Sequence, residues 1–258
     1  MPRNFKRCTA NTENDGDIGI SVNSGNWVDI VGDANVDGTS VADGPEATTM
    51  DVATRKTHSG WLNFRSFLFF DLDMAPKVST NFVIRHAFIR IRTAASNAGD
   101  DGDIGRTIKP FLATVDRQAD DSLVVGDYDA VNLNIASVTE TVLGDSATVA
   151  DVIVDGNLRS ALQNRLRRAA GGDTGATGHI GIALLPKLDY DHANQDDPTG
   201  LNRVRLCSTG HSSAIDPELF IIGFEQKPGA RVKRKAGGGG FGEANVPSTS
   251  MSGFAGER

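Results

Sequence analysis

The chain has 258 residues, a net charge of −7, 39% hydrophobic and 6% aromatic residues, and 29 glycines. That length holds one large domain or two small ones. The acidic balance excludes a surface that binds nucleic acid all over, and the lack of any apolar run of about 18 residues excludes a membrane-spanning helix.

Abundant glycine among many short β-branched runs points to an all-β protein rich in turns. Residues 1–14 are polar and are read as an N-terminal arm. Basic residues there have no apolar stretch behind them, so no export leader is expected. The two cysteines, Cys8 and Cys207, could form one disulfide but are read as two thiols.

Strand-length apolar pieces follow at IGISV (18–22), WVDIV (27–31) and TTMDVATR (48–55). Between them lies DANVDGTSVADGPE (33–46). Asp33, Asn35 and Asp37 alternate and Gly38 stands sixth, as in a loop that supplies about six to eight hard oxygens to calcium. Asp43 could add a ligand, although position twelve is Gly44 and Glu46 falls two residues late. The competing reading is a turn in which Asp, Asn and Gly serve backbone roles.

The clearest signal is WLNFRSFLFFDLDMAP (61–76). Leu62, Phe64, Leu68, Phe70 and Leu72 share one face, and Trp61, Asn63, Arg65, Phe67, Phe69 and Asp71 share the other. A long strand with one full apolar face and a partly covered second face is predicted. FVIRHAFIRIRT (82–93) also alternates, and TIKPFLATV (107–115) continues the series. Residues 116–136 have no clear pattern. SVTETVLG (137–144) and ATVADVIV (147–154) are read as strands. In DGNLRSALQNRLRRAAGG (155–172), Leu158, Leu162 and Leu166 recur every four residues, which predicts a helix over about 156–169. Asp155 is read as its cap, Gly171-Gly172 as its stop, and Arg165, Arg167 and Arg168 as cations suited to its C-terminal end. Strands are predicted again at 179–186, 202–208 and 218–225.

From residue 226 the composition turns Gly/Ser-rich, with six basic and two acidic residues, so this tail carries +4 and the rest of the chain −11. Alone it buries too little surface to offset its ordering entropy. Arg231, Lys233, Arg234, Lys235, Phe241 and Phe254 are its candidate partner contacts. The organisation is thus an arm (1–14), one β-sandwich domain (15–225) and a basic tail (226–258).

Other candidate sites are sparse. Asp15-Gly16-Asp17-Ile18-Gly19 recurs as Asp101-Gly102-Asp103-Ile104-Gly105, read as turn aspartates, with an acidic metal edge as the alternative. The loop 188–200 carries Asp189, Asp191, His192, Asp196 and Asp197; it is read as an exposed tip, with a cation or sugar site as the alternative. No nucleophile elbow, P-loop or dinucleotide fingerprint is present, so no catalytic residue is assigned, no enzyme is expected and no cofactor is required beyond the candidate calcium.

The stretch FRSFLFFDLDMAP followed by IRHAFIRIRT resembles the DNRLRE-type domain family. The matching elements are Arg65-Ser66, Phe70-Asp71, Pro76 and Ala87-x-Ile89-x-Ile91. Later ones are Gly181-x-Ala183-x-Leu185, Leu206-x-Ser208 and Pro217-Glu218-Leu219. The resemblance spans roughly 45–225 and implies a jelly-roll-like antiparallel β-sandwich. Relatives occur in extracellular bacterial proteins and beside carbohydrate-active domains. Thr209-Gly210-His211 departs from the family's glutamate after the serine.

The resemblance, the polar arms and the absent leader together give an expectation. The chain would be a structural protein of a virus particle, of the phage type, decorating the capsid or joining the tail. It would assemble in the host cytoplasm, bind other virion proteins and itself, with a trimer favoured, and need neither nucleic acid nor membrane. Host glycan is a further expected partner. The alternative is a carbohydrate-binding module, with Trp27, Trp61, Tyr128 and Tyr190 as stacking candidates and Trp27 and Tyr190 foremost.

Overall fold

A computed structural model describes residues 5–22, 38, 40–43, 49–56, 60–72, 78–94, 111–115, 123–139, 141, 143, 147–171, 179–186, 189, 201–208 and 216–226. The chain divides into Met1–Lys227 and Pro228–Arg258, and every described residue lies in the first unit.

The elements are β1 (Phe5–Val22), β2 (Ser40–Asp43), β3 (Thr49–Lys56), β4 (Trp61–Asp71), β5 (Phe82–Arg92), β6 (Phe111–Val115), β7 (Val131–Ala136), β8 (Val149–Ile153), α1 (Gly156–Ala170), β9 (His179–Leu185), β10 (Leu201–Cys207) and β11 (Glu218–Glu225). A 3-10 turn spans Val125–Tyr128. Every described ladder is antiparallel. The protein is an antiparallel β-sandwich, as the sequence predicts, and α1 is the one helix with described bounds.

One layer runs β1–β11–β5–β8. In the other, β4 lies between β1 on one edge and both β3 and β9 on its second edge, with β6 and β7 beyond β9. The long strand β1 belongs to both. Its first half pairs with β11, from Phe5↔Phe224 to Asn11↔Glu218, and its second half with β4. The polar stretch read as an arm is therefore strand from Phe5 onward. Its partner lies two hundred residues away, and a distant ladder overrides a weak local pattern.

The main core fills the space between layers. Leu68, Phe70 and Leu72 meet Ile89, Ile91, Leu219 and Ile221 of the facing layer, with Val204 and Leu206 from β10. The second face of β4 is covered too: Phe67 and Phe69 pack with Ile18, Ile20, Leu123, Tyr128 and Val131. The 123–131 segment, patternless in the sequence, is what covers it.

Leu158, Leu162 and Leu166 of α1 are all buried in the main core, which fulfils the four-residue periodicity. The helix also closes a sheet edge. The Gln163 side chain accepts from Ile84 N–H (2.7 Å) and donates to Phe82 C=O (2.8 Å), so its amide takes the place of a neighbouring strand.

The strand read at 137–144 is not found among the described residues, where only Leu143 makes a bridge. Instead, β7 ends at Ala136 and Ser137 turns the chain. Its hydroxyl donates to Ile153 C=O (3.1 Å) and accepts from Asp155 N–H (3.0 Å). The Asp155 carboxylate accepts from Val138 N–H (2.7 Å), Thr139 N–H (3.3 Å) and the Thr139 hydroxyl. It makes no side-chain bond to the helix it precedes. Asp155 thus pins a turn rather than capping α1. The strand read at 27–31 lies outside the described residues.

Two predictions follow from this packing. A Cβ at Gly223, where β11 shifts register, would collide with the Val83 carbonyl and the Phe82 ring. Gly223→Ala is expected to lower unfolding free energy by about 1–3 kcal/mol, read from urea denaturation. Partial burial opposes ionisation of Asp155, but the Thr139 and Val138 hydrogen bonds outweigh it and hold the pKa below its ordinary 3.8. The stability this carboxylate contributes is complete above that value and is lost as pH falls through the depressed folded value. Thermal unfolding should show Asp155→Ala below wild type at pH 7, with the gap closing on acidification below 3.8.

Candidate functional site

A buried polar cluster lies on the second face of β4. Strand alternation puts Asn63 and Arg65 beside Phe67 and Phe69, so both polar side chains enter an apolar layer and are fully buried. Arg65 is met by Asp189, also fully buried. Its Nε donates to Oδ2 and its Nη2 to Oδ1, both at 2.7 Å, in a bidentate pair. Its Nη1 donates to the Tyr128 carbonyl, and the guanidinium lies 3.9 Å from the Tyr128 ring centroid. Asn63 Nδ2 donates to Asp189 Oδ2 (2.8 Å) and to the Tyr128 hydroxyl.

Burial opposes the Arg65 charge, yet the Asp189 carboxylate and the Tyr128 side chain more than compensate, so its pKa rises. Burial and Asp189 push the Tyr128 hydroxyl up, against Arg65 and Asn63, and it stays protonated. The cluster therefore holds a fixed cation and a neutral phenol at neutral pH. None of its members reaches solvent, so its chemistry is positional: it ties β4, the 3-10 turn and the segment at 189 to one another.

This placement corrects the reading of 188–200 as an exposed tip at its first acidic residue, because Asp189 is interior. It also removes Tyr128 from the sugar-stacking candidates, while Trp61 is half-buried against the second core. The signal that could have revealed the pair was Arg65 itself: an arginine between aromatics on a strand face needs a buried counter-ion.

A second site is on the surface. On the outward face of the β11–β5–β8 layer, cross-strand register lines up Phe220, Phe88 and Ile153, and beside them Glu218, Arg90 and Asp151. The Phe88 and Phe220 rings stack at 4.9 Å with 7° between planes. Arg90 lies 4.8 Å from the Phe220 centroid and is held by Asp151 through bonds of 2.8 and 2.9 Å. Arg85 covers Phe224 at 5.0 Å. Val149 (47% exposed) and Ile153 (38%) project from β8, which among the described residues pairs only with β5.

Of the sequence candidates, Asp33, Asn35, Asp37, Trp27, Tyr190, Arg231, Lys233, Arg234, Lys235, Phe241 and Phe254 lie outside the described residues. Asp43 ends β2 opposite Gly16. Gly38 has a packing role: its N–H donates to Val125 C=O (2.9 Å), and a Cβ would strike the Ile18 side chain. Asp15 and Asp17 are buried strand residues rather than turn residues, and Asp17 Oδ2 accepts from Asp51 N–H (2.6 Å). The second copy of their motif lies outside the described residues. Cys207 is a free thiol, buried, with its pKa raised by that burial. Among the described residues no three His, Cys, Asp or Glu side chains gather as a metal group, and no helix is long and apolar enough to cross a membrane.

No protein-family model matches the chain, and a search of curated proteins finds no similar sequence.

The buried pair gives a sharp expectation. Asp189→Asn leaves the Arg65 charge uncompensated in the interior and should cost about 3–5 kcal/mol in chemical denaturation. Replacing both residues, as Arg65→Met with Asp189→Leu, should cost much less than the two single changes added together. Strict additivity in this cycle would mean that the two groups do not depend on each other.

Proposed function

We propose that the chain is a non-enzymatic structural component of a virus particle, of the phage type, that works by binding neighbouring subunits, including copies of itself. It decorates the capsid or joins the tail apparatus, and acts in the assembled virion. The resemblance of residues 61–92 to the DNRLRE-type sandwiches supports a surface-protein architecture. The basic tail with Arg231, Lys233, Arg234 and Lys235 suits docking on the acidic body of a neighbour.

The observation that carries this reading is the outward face of β11, β5 and β8. Half-buried Phe88, stacked on buried Phe220 beneath Arg90, stands next to exposed Val149 and Ile153, and aromatics and arginine are enriched at subunit interfaces. The Arg90–Asp151 pair fixes the guanidinium over the rings, so a partner meets a preformed surface.

Light scattering after size exclusion tests this. The full chain is expected to be an oligomer; Val149→Lys with Ile153→Lys should shift it towards monomer with an unchanged far-UV spectrum. A chain ending at Glu225 should also associate more weakly. A monomer at every concentration for the unaltered full chain would overturn the proposal and make a glycan array the next experiment.

A further inference from the structure

Among the described residues, two buried side-chain oxygens have no hydrogen-bond partner: Thr54 Oγ1 and Asn63 Oδ1. Thr54 is 1% exposed and Asn63 is fully buried. They are direct partners in the β3–β4 ladder, so their side chains leave the sheet on the same face, side by side.

The Asn63 amide is not free to turn over. Its Nδ2 donates to the Asp189 carboxylate, which only accepts, so exchanging nitrogen and oxygen would set oxygen against oxygen. Oδ1 must therefore point away from Asp189 as a bare acceptor. The Thr54 hydroxyl has one proton to give and lone pairs to fill. Buried polar groups in native interiors are satisfied by protein or by ordered water.

The position of the pair explains why protein does not satisfy them. The second edge of β4 is paired with β3 as far as Phe64↔Ala53 and with β9 from Ser66↔Leu184. Thr54 and Asn63 sit one rung from this fork. At this fork β3 leaves the edge of β4 and β9 takes its place, so neither ladder includes Arg65.

We infer that this fork holds a binding site for one internal water molecule, which donates to Asn63 Oδ1 and accepts from the Thr54 hydroxyl. The chemistry selects a small neutral molecule that both donates and accepts. A bare anion would face an acceptor oxygen; a cation would stand near the Arg65 guanidinium. The water extends the Arg65–Asp189–Asn63 network across to β3.

A high-resolution crystal structure of the full chain tests the site, with Thr54→Val and Thr54→Ser alongside. The expected result is a density peak at about 2.7–3.2 Å from both oxygens, retained in Thr54→Ser and lost in Thr54→Val. A direct bond between Thr54 Oγ1 and Asn63 Oδ1 with no peak between them would overturn the inference. So would a peak that persists unchanged in Thr54→Val. Should that variant fail to fold, the unaltered and serine proteins decide the matter by the presence or absence of the peak.

Discussion

An arginine that never touches water sets the terms for much of this sandwich. Moving a guanidinium out of solvent is expensive unless its charge and its donors are all met. Arg65 is met on three sides: by both oxygens of Asp189, by the Tyr128 carbonyl, and by the Tyr128 ring. The two partner residues come from different parts of the chain, so the demand of one side chain ties Tyr128 of the 3-10 turn and Asp189 to β4. The second face of β4 is then closed over by residues 123–131, and the aromatic layer of Phe67 and Phe69 is complete.

The same economy appears at the sheet edges. Unpaired backbone groups at an edge invite association. Gln163 covers one such stretch of β5 from within the molecule, by imitating the hydrogen bonds of a strand. On the outer edge of β8 the Ser137 hydroxyl meets the Ile153 carbonyl, no second strand pairs with β8 among the described residues, and the edge adjoins the stacked Phe88 and Phe220. An edge that is closed by a helix and an edge that is left beside an aromatic–arginine face are two different solutions. Only the second lacks a partner strand among the described residues.

How much was legible in the sequence depends on where the deciding partner lies. The period-two run of β4 and the leucines of α1 are local patterns, and each predicted both the element and its buried face. The sequence reading also set Asn63 and Arg65 beside Phe67 and Phe69. What it could not supply was Asp189, which is 124 residues away within a loop whose composition resembles any polar tip. Residues 5–14 were illegible for the same reason. Residues 5–11 take their strand state from β11, at the far end of the described chain, and Thr12 and Asn14 from β4, not from their own alternation. Ser137 and Asp155 show a third case: side chains that favour a turn broke a segment whose β-branched residues argued for strand. The calcium loop remains a feature of the sequence, apart from Gly38, whose glycine is required by packing against Ile18.

The pairing of β1 with β11 also governs the order in which the molecule can be made. Phe5 faces Phe224 and Asn11 faces Glu218, so the layer β1–β11–β5–β8 cannot close until its last strand has left the ribosome. Until then the first half of β1 and the edge of β5 that receives β11 both stand open. Closing a loop of such length late makes the chain a slow folder, in the class where nonlocal strand pairing sets millisecond-to-second rates. The interval leaves apolar faces and strand edges exposed to neighbouring chains. The pairing that joins the two ends of the described chain is thus also the one that leaves its strands waiting longest for a partner.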